Sequence, residues 1–178
     1  MSLERWLFMS NFDVKLAEGK TGESEIAEWL KANGSHILPI YEIADKQFKG
    51  PAMYQSNGET VIAPDMAVFN AYGITFIEAK HKNAFSAYRL KNIWTTGIDL
   101  HHFRQYQKFQ AALKLPVWIL FLHKGGQAKD SPPSPAGLFG NSLKKLVNSV
   151  DHQSDRHGKT GMVYWDKRSL IKLSDYPL

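Results

Sequence analysis

The chain reads as an α/β protein whose mixed central sheet is flanked by helices, and three observations predict that class. Two β-branched and aromatic runs, 60–69 and 74–79, are separated by Asn70-Ala71-Tyr72-Gly73, which is a hairpin signal. A continuous apolar run, Val117 to Leu122 (VWILFL), is closed by Gly125-Gly126 and has the character of a strand buried on both faces. Stretches with helix start and stop signals precede the first strand and the last, giving the order α, β, β, β, α, β.

Each element has a local cause. A first helix is expected from about Gly22 to Asn33, with Gly34 placed to end it. Residues 36–43 (HILPIYEI) then read as a strand that Pro39 confines to a sheet edge or a strand start. Residues 49–58, rich in Gly, Pro, Ser and Asn, read as a loop before the hairpin. Asp99 can cap a second helix running to about Lys114, where Pro116 stops it. Beyond the apolar strand, 130–137 (DSPPSPAG) is a loop, 142–150 a short helix, 151–161 a polar loop and 162–165 a last strand. No internal repeat is visible, so 9–178 is expected to be one domain with a core of about 18–124 and a C-terminal extension at 125–178.

Composition narrows the chemistry. With 178 residues, 43% apolar and 22% charged, the chain can bury a core and is neither disordered nor fibrous. No apolar run approaches the ~18 residues of a membrane span, so no membrane partner is expected. The absence of cysteine removes disulfides, thiolate zinc sites, Fe–S clusters and cysteine nucleophiles, and points to a reducing cytoplasm. Any metal must therefore sit on carboxylates, carbonyls or imidazoles. His101 and His102 are adjacent and cannot both face one ion from a helix, while His123, His152 and His157 are scattered, so a histidine zinc site is not expected. There is no P-loop, no G-x-G-x-x-G and no G-x-S-x-G, hence no nucleotide cofactor and no serine hydrolase.

The net charge of +5 conceals a strong asymmetry. Residues 1–78 carry 6 basic and 11 acidic side chains (−5), residues 79–124 carry 8 and 1 (+7), and residues 125–178 carry 8 and 5 (+3). The middle block, with Tyr88 and Trp94 interleaved, suggests a polyanionic partner such as DNA; a solvated basic face is the alternative. Lys82, Arg89, Lys91, Arg104 and Lys108 are the candidate DNA contacts, with Arg156, His157 and Lys159 as weaker ones.

The hairpin concentrates the chemistry. If Asn70 and Gly73 flank its turn, paired residue numbers sum to 143, so Phe69 faces Ile74 and Asp65 faces Glu78. Directly opposed Cβ atoms lie roughly 4.5–5.5 Å apart, a costly place for two carboxylates unless a cation sits between them. A hard divalent ion on oxygen ligands, Mg²⁺ by default, answers that cost. Strand alternation puts Lys80 on the face of Glu78, with Ile74 and Phe76, where its ammonium can orient or deprotonate a water and neutralise a phosphate. Pro64 fits a bend at the strand entry. Asp65, Glu78 and Lys80 could instead form an exposed ion-pair ladder, but their neighbours are apolar. On the first helix, Ile26, Ala27 and Leu30 fall within about 60° of Glu23, which puts this acid at the centre of the apolar stripe. The competing reading of Glu23 is a first-turn acid favoured by the helix dipole.

Gly22-Glu23, Pro64-Asp65 and Glu78-Ala79-Lys80, within an αβββαβ order, resemble the PD-(D/E)XK nuclease superfamily. The likeness is greatest to its Holliday-junction-resolvase-like and restriction-endonuclease-like branches, and it covers roughly residues 18–124. The resemblance implies a restriction-endonuclease-like fold, with metal on Asp65, Glu78 and the Ala79 carbonyl, Glu23 assisting directly or through water, and Lys80 as the catalytic lysine. Mn²⁺ would substitute for Mg²⁺. Many members carry glutamine, sometimes as Q-x-x-x-Y, on the following helix; here His102 stands in that position with Tyr106 after it, and Gln105 is expected to be solvated.

The expected function is therefore a Mg²⁺-dependent endonuclease hydrolysing DNA phosphodiesters, with branched DNA such as Holliday junctions among its candidate substrates. A junction resolvase needs two active sites related by a twofold axis, which would make the protein a homodimer. The alternatives are a catalytically inactive DNA-binding module on the same fold, and a structural or assembly protein with a basic docking surface.

Overall fold

The computed structural model describes residues 11–40, 51–127, 131–158 and 160–178. In chain order its elements are α1 (Asn11–Ala32), β1 (His36–Pro39), β2 (Ala52–Tyr54), β3 (Thr60–Ile62), β4 (Met66–Asn70), β5 (Gly73–Lys82), β6 (Ser86–Tyr88) and β7 (Ile93–Asp99). There follow α2 (Leu100–Leu113), β8 (Val117–Lys124), β9 (Ala136–Ser142), α3 (Leu143–Asn148), β10 (His152–Ser154), β11 (Met162–Asp166) and β12 (Ile171–Ser174).

Six strands form the central sheet in the order β1-β4-β5-β8-β9-β12. β5 and β8 run parallel, and every other neighbouring pair is antiparallel. This is the mixed α/β sheet that the sequence predicts, and α1, β1, β4, β5, α2 and β8 preserve the αβββαβ order. Pro39 sits in β1, at the sheet edge where a residue without an N–H is tolerated. β8 is central and buried on both sides: Val117, Ile119 and Phe121 enter one core, Leu120 and Leu122 the other.

The first core, against α1, joins Ile26 to Met66, Val68, Ile77 and Ala79. The second joins the α2 residues Leu100, Phe103, Tyr106 and Phe109 to β8, β9, α3 and an antiparallel four-stranded sheet, β10-β11-β7-β6. Trp165 lies at its centre, fully buried, with Nε1 donating to the Leu146 carbonyl at 2.8 Å.

The helix ends follow the sequence signals. Gly34 adopts φ +81°, with Gly34 N–H bonded to the Lys31 carbonyl and Ser35 N–H to the Leu30 carbonyl, a Schellman stop for α1. Asp99 caps α2 by accepting from His101 N–H at 2.9 Å, and Lys114 closes it in the left-handed region.

Several elements differ from expectation. α1 begins at Asn11 rather than near Gly22. The expected 49–58 loop contains β2, paired with β3 through a turn at Asn57-Gly58, an Asn-Gly hairpin signal hidden among other loop-forming residues. The expected 60–69 strand is two strands. Ala63 N–H bonds back to Pro51 and Ile40 N–H to the Asp65 carbonyl, so the chain changes partners at Pro64, which cannot donate to a ladder. β6 and β7 occupy the basic segment, where Ile93-Trp94-Thr95-Thr96 carried strand character. β10 interrupts the expected polar loop, and β9 and β12 extend the central sheet beyond the expected 18–124 core. Residues 9–10, 41–43, 49–50, 129–130 and 159, to which strand, loop, boundary or DNA-contact expectations applied, lie outside the described residues.

One packing contact governs α1. A Cβ on Gly22 would lie 2.4 Å from Cβ of His81 on β5, so the helix backbone packs directly on the His81 side chain there. Gly22→Ala should gain about 0.5–1 kcal/mol of helix propensity but force the elements apart. Overpacking typically costs about 1–3 kcal/mol, which leaves a net loss of up to about 2.5 kcal/mol, so thermal unfolding should show a fall in Tm of up to roughly 10 °C. A rise in Tm would contradict the close contact.

Candidate active site and metal centre

The site is built on the β4–β5 hairpin. Its ladder runs from Asn70↔Gly73 to Met66↔Ile77, as the sum of 143 requires. Asp65 lies one position past the last ladder pair, in the bend after Pro64, on the side of Glu78. Its carboxylate accepts from Ala79 N–H at 2.8 Å, which fixes it against β5 beside Glu78.

Glu78 is 1% exposed. One of its carboxylate oxygens pairs with the Lys80 ammonium, while Oε2 is buried without a hydrogen bond of standard geometry, although the Asp65 carboxyl and the Tyr106 hydroxyl both approach Glu78. A buried acceptor left unpaired is costly, and a carboxylate oxygen more so than a neutral one. Asp65 feels the same shortage of positive charge: burial, and then the nearby Glu78 carboxylate, push its pKa up to about 7. Burial works against the charge on Lys80, but Glu78, Asp65 and Glu23 outweigh it and hold its pKa above the ordinary lysine value. Lys80 is therefore a fixed cation here, suited to orienting and neutralising rather than to removing a proton.

Glu23, one residue past the Gly22 contact, is half-buried, and its charge acts on both Lys80 and Tyr106. Since α1 starts at Asn11, Glu23 sits in the body of the helix and the first-turn reading does not apply. From the other side, α2 presents Tyr106, 2% exposed, and His102, half-buried, with ring centroids 6.1 Å apart. Burial and the Glu78 charge raise the Tyr106 pKa, so its hydroxyl keeps its proton. Burial and then Lys80 lower that of His102, which is neutral at pH 7. Asp65, Glu78, Lys80, Glu23, His102 and Tyr106 thus belong to one electrostatically coupled group. Ala79 turns its side chain to the α1 core.

These residues suit a hard cation. A buried carboxylate oxygen without a hydrogen bond of standard geometry, a second carboxylate pushed up beside it and no soft ligand form an oxygen donor set. Among the described residues no three His, Cys, Asp or Glu side chains gather into a metal cage.

The expected DNA contacts fall on separate elements. Arg104 and Lys108 are exposed one turn apart on α2. Arg89 lies in the β6–β7 turn, beside a cleft of about 200 Å³ that Tyr88 and Trp94 also line. Lys91 is exposed but pairs with Asp151 at 2.8 Å. Lys82 differs from these, being half-buried at the end of β5. Its register partner on β8 is His123, a fully buried residue whose ring stacks on Phe85 at 3.6 Å. Sequence reading left His123 among scattered histidines, although its odd position continues the Ile119, Phe121 face of β8. Gln105 is half-buried rather than freely solvated: its Oε1 accepts from Ile62 N–H at 3.2 Å, because the β2–β3 hairpin covers that side of α2. No helix among the described residues is long and apolar enough to cross a membrane.

The Asp65 shift has a measurable consequence. Its folded pKa of about 7 exceeds the ordinary 3.8, so the native state binds the extra proton between these values and loses stability as pH rises from about 4 to 7. Asp65→Asn keeps an acceptor for Ala79 N–H but removes the charge. In EDTA, its Tm should match wild type near pH 4 and exceed it near pH 8, by roughly 2–4 °C for each kcal/mol relieved. Parallel Tm profiles for the two proteins would contradict the crowding of the carboxylates.

No protein-family model matches the chain, and none of the curated proteins is similar to it in sequence. Among solved structures, its fold is similar to that of Hjc from Archaeoglobus fulgidus, a Holliday junction resolvase from an archaeal hyperthermophile. The two superpose with a TM-score of 0.51 over 87% of this chain and 96% of that one, at 9% sequence identity. The likeness establishes a restriction-endonuclease-like fold.

Proposed function

We propose that the protein is a PD-(D/E)XK-type nuclease that hydrolyses DNA phosphodiesters with Mg²⁺, for which Mn²⁺ would substitute. The observation that carries this reading is the buried Glu78, with one carboxylate oxygen lacking a hydrogen bond of standard geometry, set beside Asp65 and Lys80 in a resolvase-like fold. Asp65, Glu78 and the Ala79 carbonyl would hold the ion, with Glu23 contributing through water. The bound ion would polarise a phosphoryl oxygen and lower the pKa of an attacking water.

The protein's own groups divide the remaining work. The Lys80 ammonium would orient the water and stabilise the charge that develops on the phosphoryl oxygens. Neutral His102 and the protonated Tyr106 hydroxyl would offer uncharged donors on the α2 side. Arg104 and Lys108 would hold the backbone from the exposed face of α2. The resolvase neighbour favours branched DNA, and a twofold-related pair of sites would then require a homodimer.

Purified protein on supercoiled plasmid and on four-way junctions should cleave with Mg²⁺ and not with EDTA. Glu78→Gln and Lys80→Gln should each lower kcat by about 10²–10³-fold. Cleavage that survives Glu78→Gln would falsify the metal-site assignment, and DNA retention without turnover at any Mg²⁺ concentration would leave the binding-module reading. Arg104→Ala and Lys108→Ala should instead weaken binding to all sequences alike, each reducing the salt slope by about 1; an unchanged slope would remove α2 from the interface.

A further inference from the structure

We propose that Lys82 forms an oxyanion subsite next to the scissile position and that its ligand is the neighbouring phosphate of the DNA strand. The inference rests on the nuclease reading for the identity of that ligand, but the oxyanion site itself rests on this chain's own geometry.

Glu78, Lys80 and Lys82 alternate along β5 and share one face. Two residues of strand advance roughly 6.6 Å, so the three side chains form a row with Lys82 one step beyond Lys80. Lys80 is matched with Glu78, whereas Lys82 makes no ion pair among the described residues. The groups acting on it supply no compensation. Lys80 repels it. His123, its partner across the β5–β8 ladder, is held neutral by burial and by Lys82 itself, with a pKa of about 3, and its ring packs flat against Phe85. Lys82 thus has a neutral, buried ring as its ladder partner and a second cation acting on it, and burial and Lys80 bring its own pKa down to about 8.

A lysine on an exposed sheet face extends into water and keeps an ordinary charge. Lys82 instead retains partial exposure in a place where a positive charge is disfavoured. An oxyanion bound there would relieve both the desolvation and the repulsion from Lys80. It would also place a second backbone phosphate in register with the reacting one, converting binding energy into alignment of the scissile bond. Arg104 and Lys108, exposed on α2, have no comparable route to that alignment.

Two measurements test the proposal. First, metal-free protein with ¹³Cε-labelled lysines is titrated with inorganic phosphate, using Lys82→Gln for assignment. The Lys82 resonance should titrate near pH 8 and move towards the ordinary lysine range as phosphate binds. An ordinary pKa, or no response to phosphate at saturating concentration, overturns the oxyanion site whether or not the protein is a nuclease. Second, once the cleavage position is mapped, Lys82→Gln should lower kcat/KM by about 10–100-fold, the loss of one charge-assisted hydrogen bond. A neutral methylphosphonate at the phosphate adjacent to the scissile one should lower wild-type activity by the same factor and leave the variant unaffected. Penalties that add overturn the assignment to the neighbouring phosphate, as does one that follows removal of a 5′-terminal phosphate instead. Absence of cleavage by wild-type protein would count against the nuclease reading while the phosphate titration still decides the subsite.

Discussion

Two carboxylates held together at the edge of a low-dielectric core set the terms for this structure. The β4–β5 register puts Asp65 beside Glu78, and the packing of α2 over β5 removes Glu78 from water. The protein itself compensates only in part, through the Ala79 amide on Asp65 and the Lys80 ammonium on Glu78. One oxygen remains without a hydrogen bond of standard geometry. The fixed charge of Lys80, the neutrality of His102 and the retained proton of Tyr106 all follow from this local field and from burial. A divalent cation is the partner that would resolve it, and so the metal reading grows out of an imbalance rather than out of a motif.

The scaffold keeps that imbalance from relaxing. β5 lies between β4 and the parallel β8, so it cannot shift without breaking two ladders. α1 is seated against it at the Gly22–His81 contact, which brings the following residue, Glu23, to the site. α2 is fastened at both ends and along its side: Asp99 caps it, Gln105 accepts from Ile62 N–H, and Gln110 accepts from Val117 N–H at 3.1 Å. A site on strands and capped helices holds its groups more narrowly than one on loops.

Charge along the chain and charge in space are different quantities here. The basic block of residues 79–124 is dispersed over β5, the β6–β7 turn, α2 and β8, and the Lys91 charge is answered by Asp151. What remains is a graded set of cations: Lys80 paired and fixed, Lys82 half-buried and without an ion pair among the described residues, Arg104 and Lys108 in solvent. That gradation allows different tasks, from stabilising the reacting phosphate to holding the backbone at large. Electrostatic attraction alone would need only the exposed members.

Much of this was legible before folding. The hairpin register, the buried apolar β8, the Asp99 cap and the Gly34 stop are short-range: each depends on residues a few positions apart, with alternation or a single cap as cause. The sharing of one face by Glu78 and Lys80 follows from the same period of two, and the mixed α/β class follows from the order of those elements. Other features depended on partners distant in sequence. The β2–β3 hairpin is itself local, but its separation from the central sheet at Pro64 and its docking on α2 are not, and that docking is what brings Ile62 N–H to Gln105. β9 forms on the free edge of β8, and the short β12 in turn on β9. Likewise, nothing local distinguishes Lys82 from Lys108; burial beside His123 does, and burial is a property of what packs around a residue. The sequence by itself therefore determined which groups stand opposite or alternate, because backbone geometry is periodic. Tertiary packing decided which of them lost water, and with it which charges are fixed, suppressed or left unpaired.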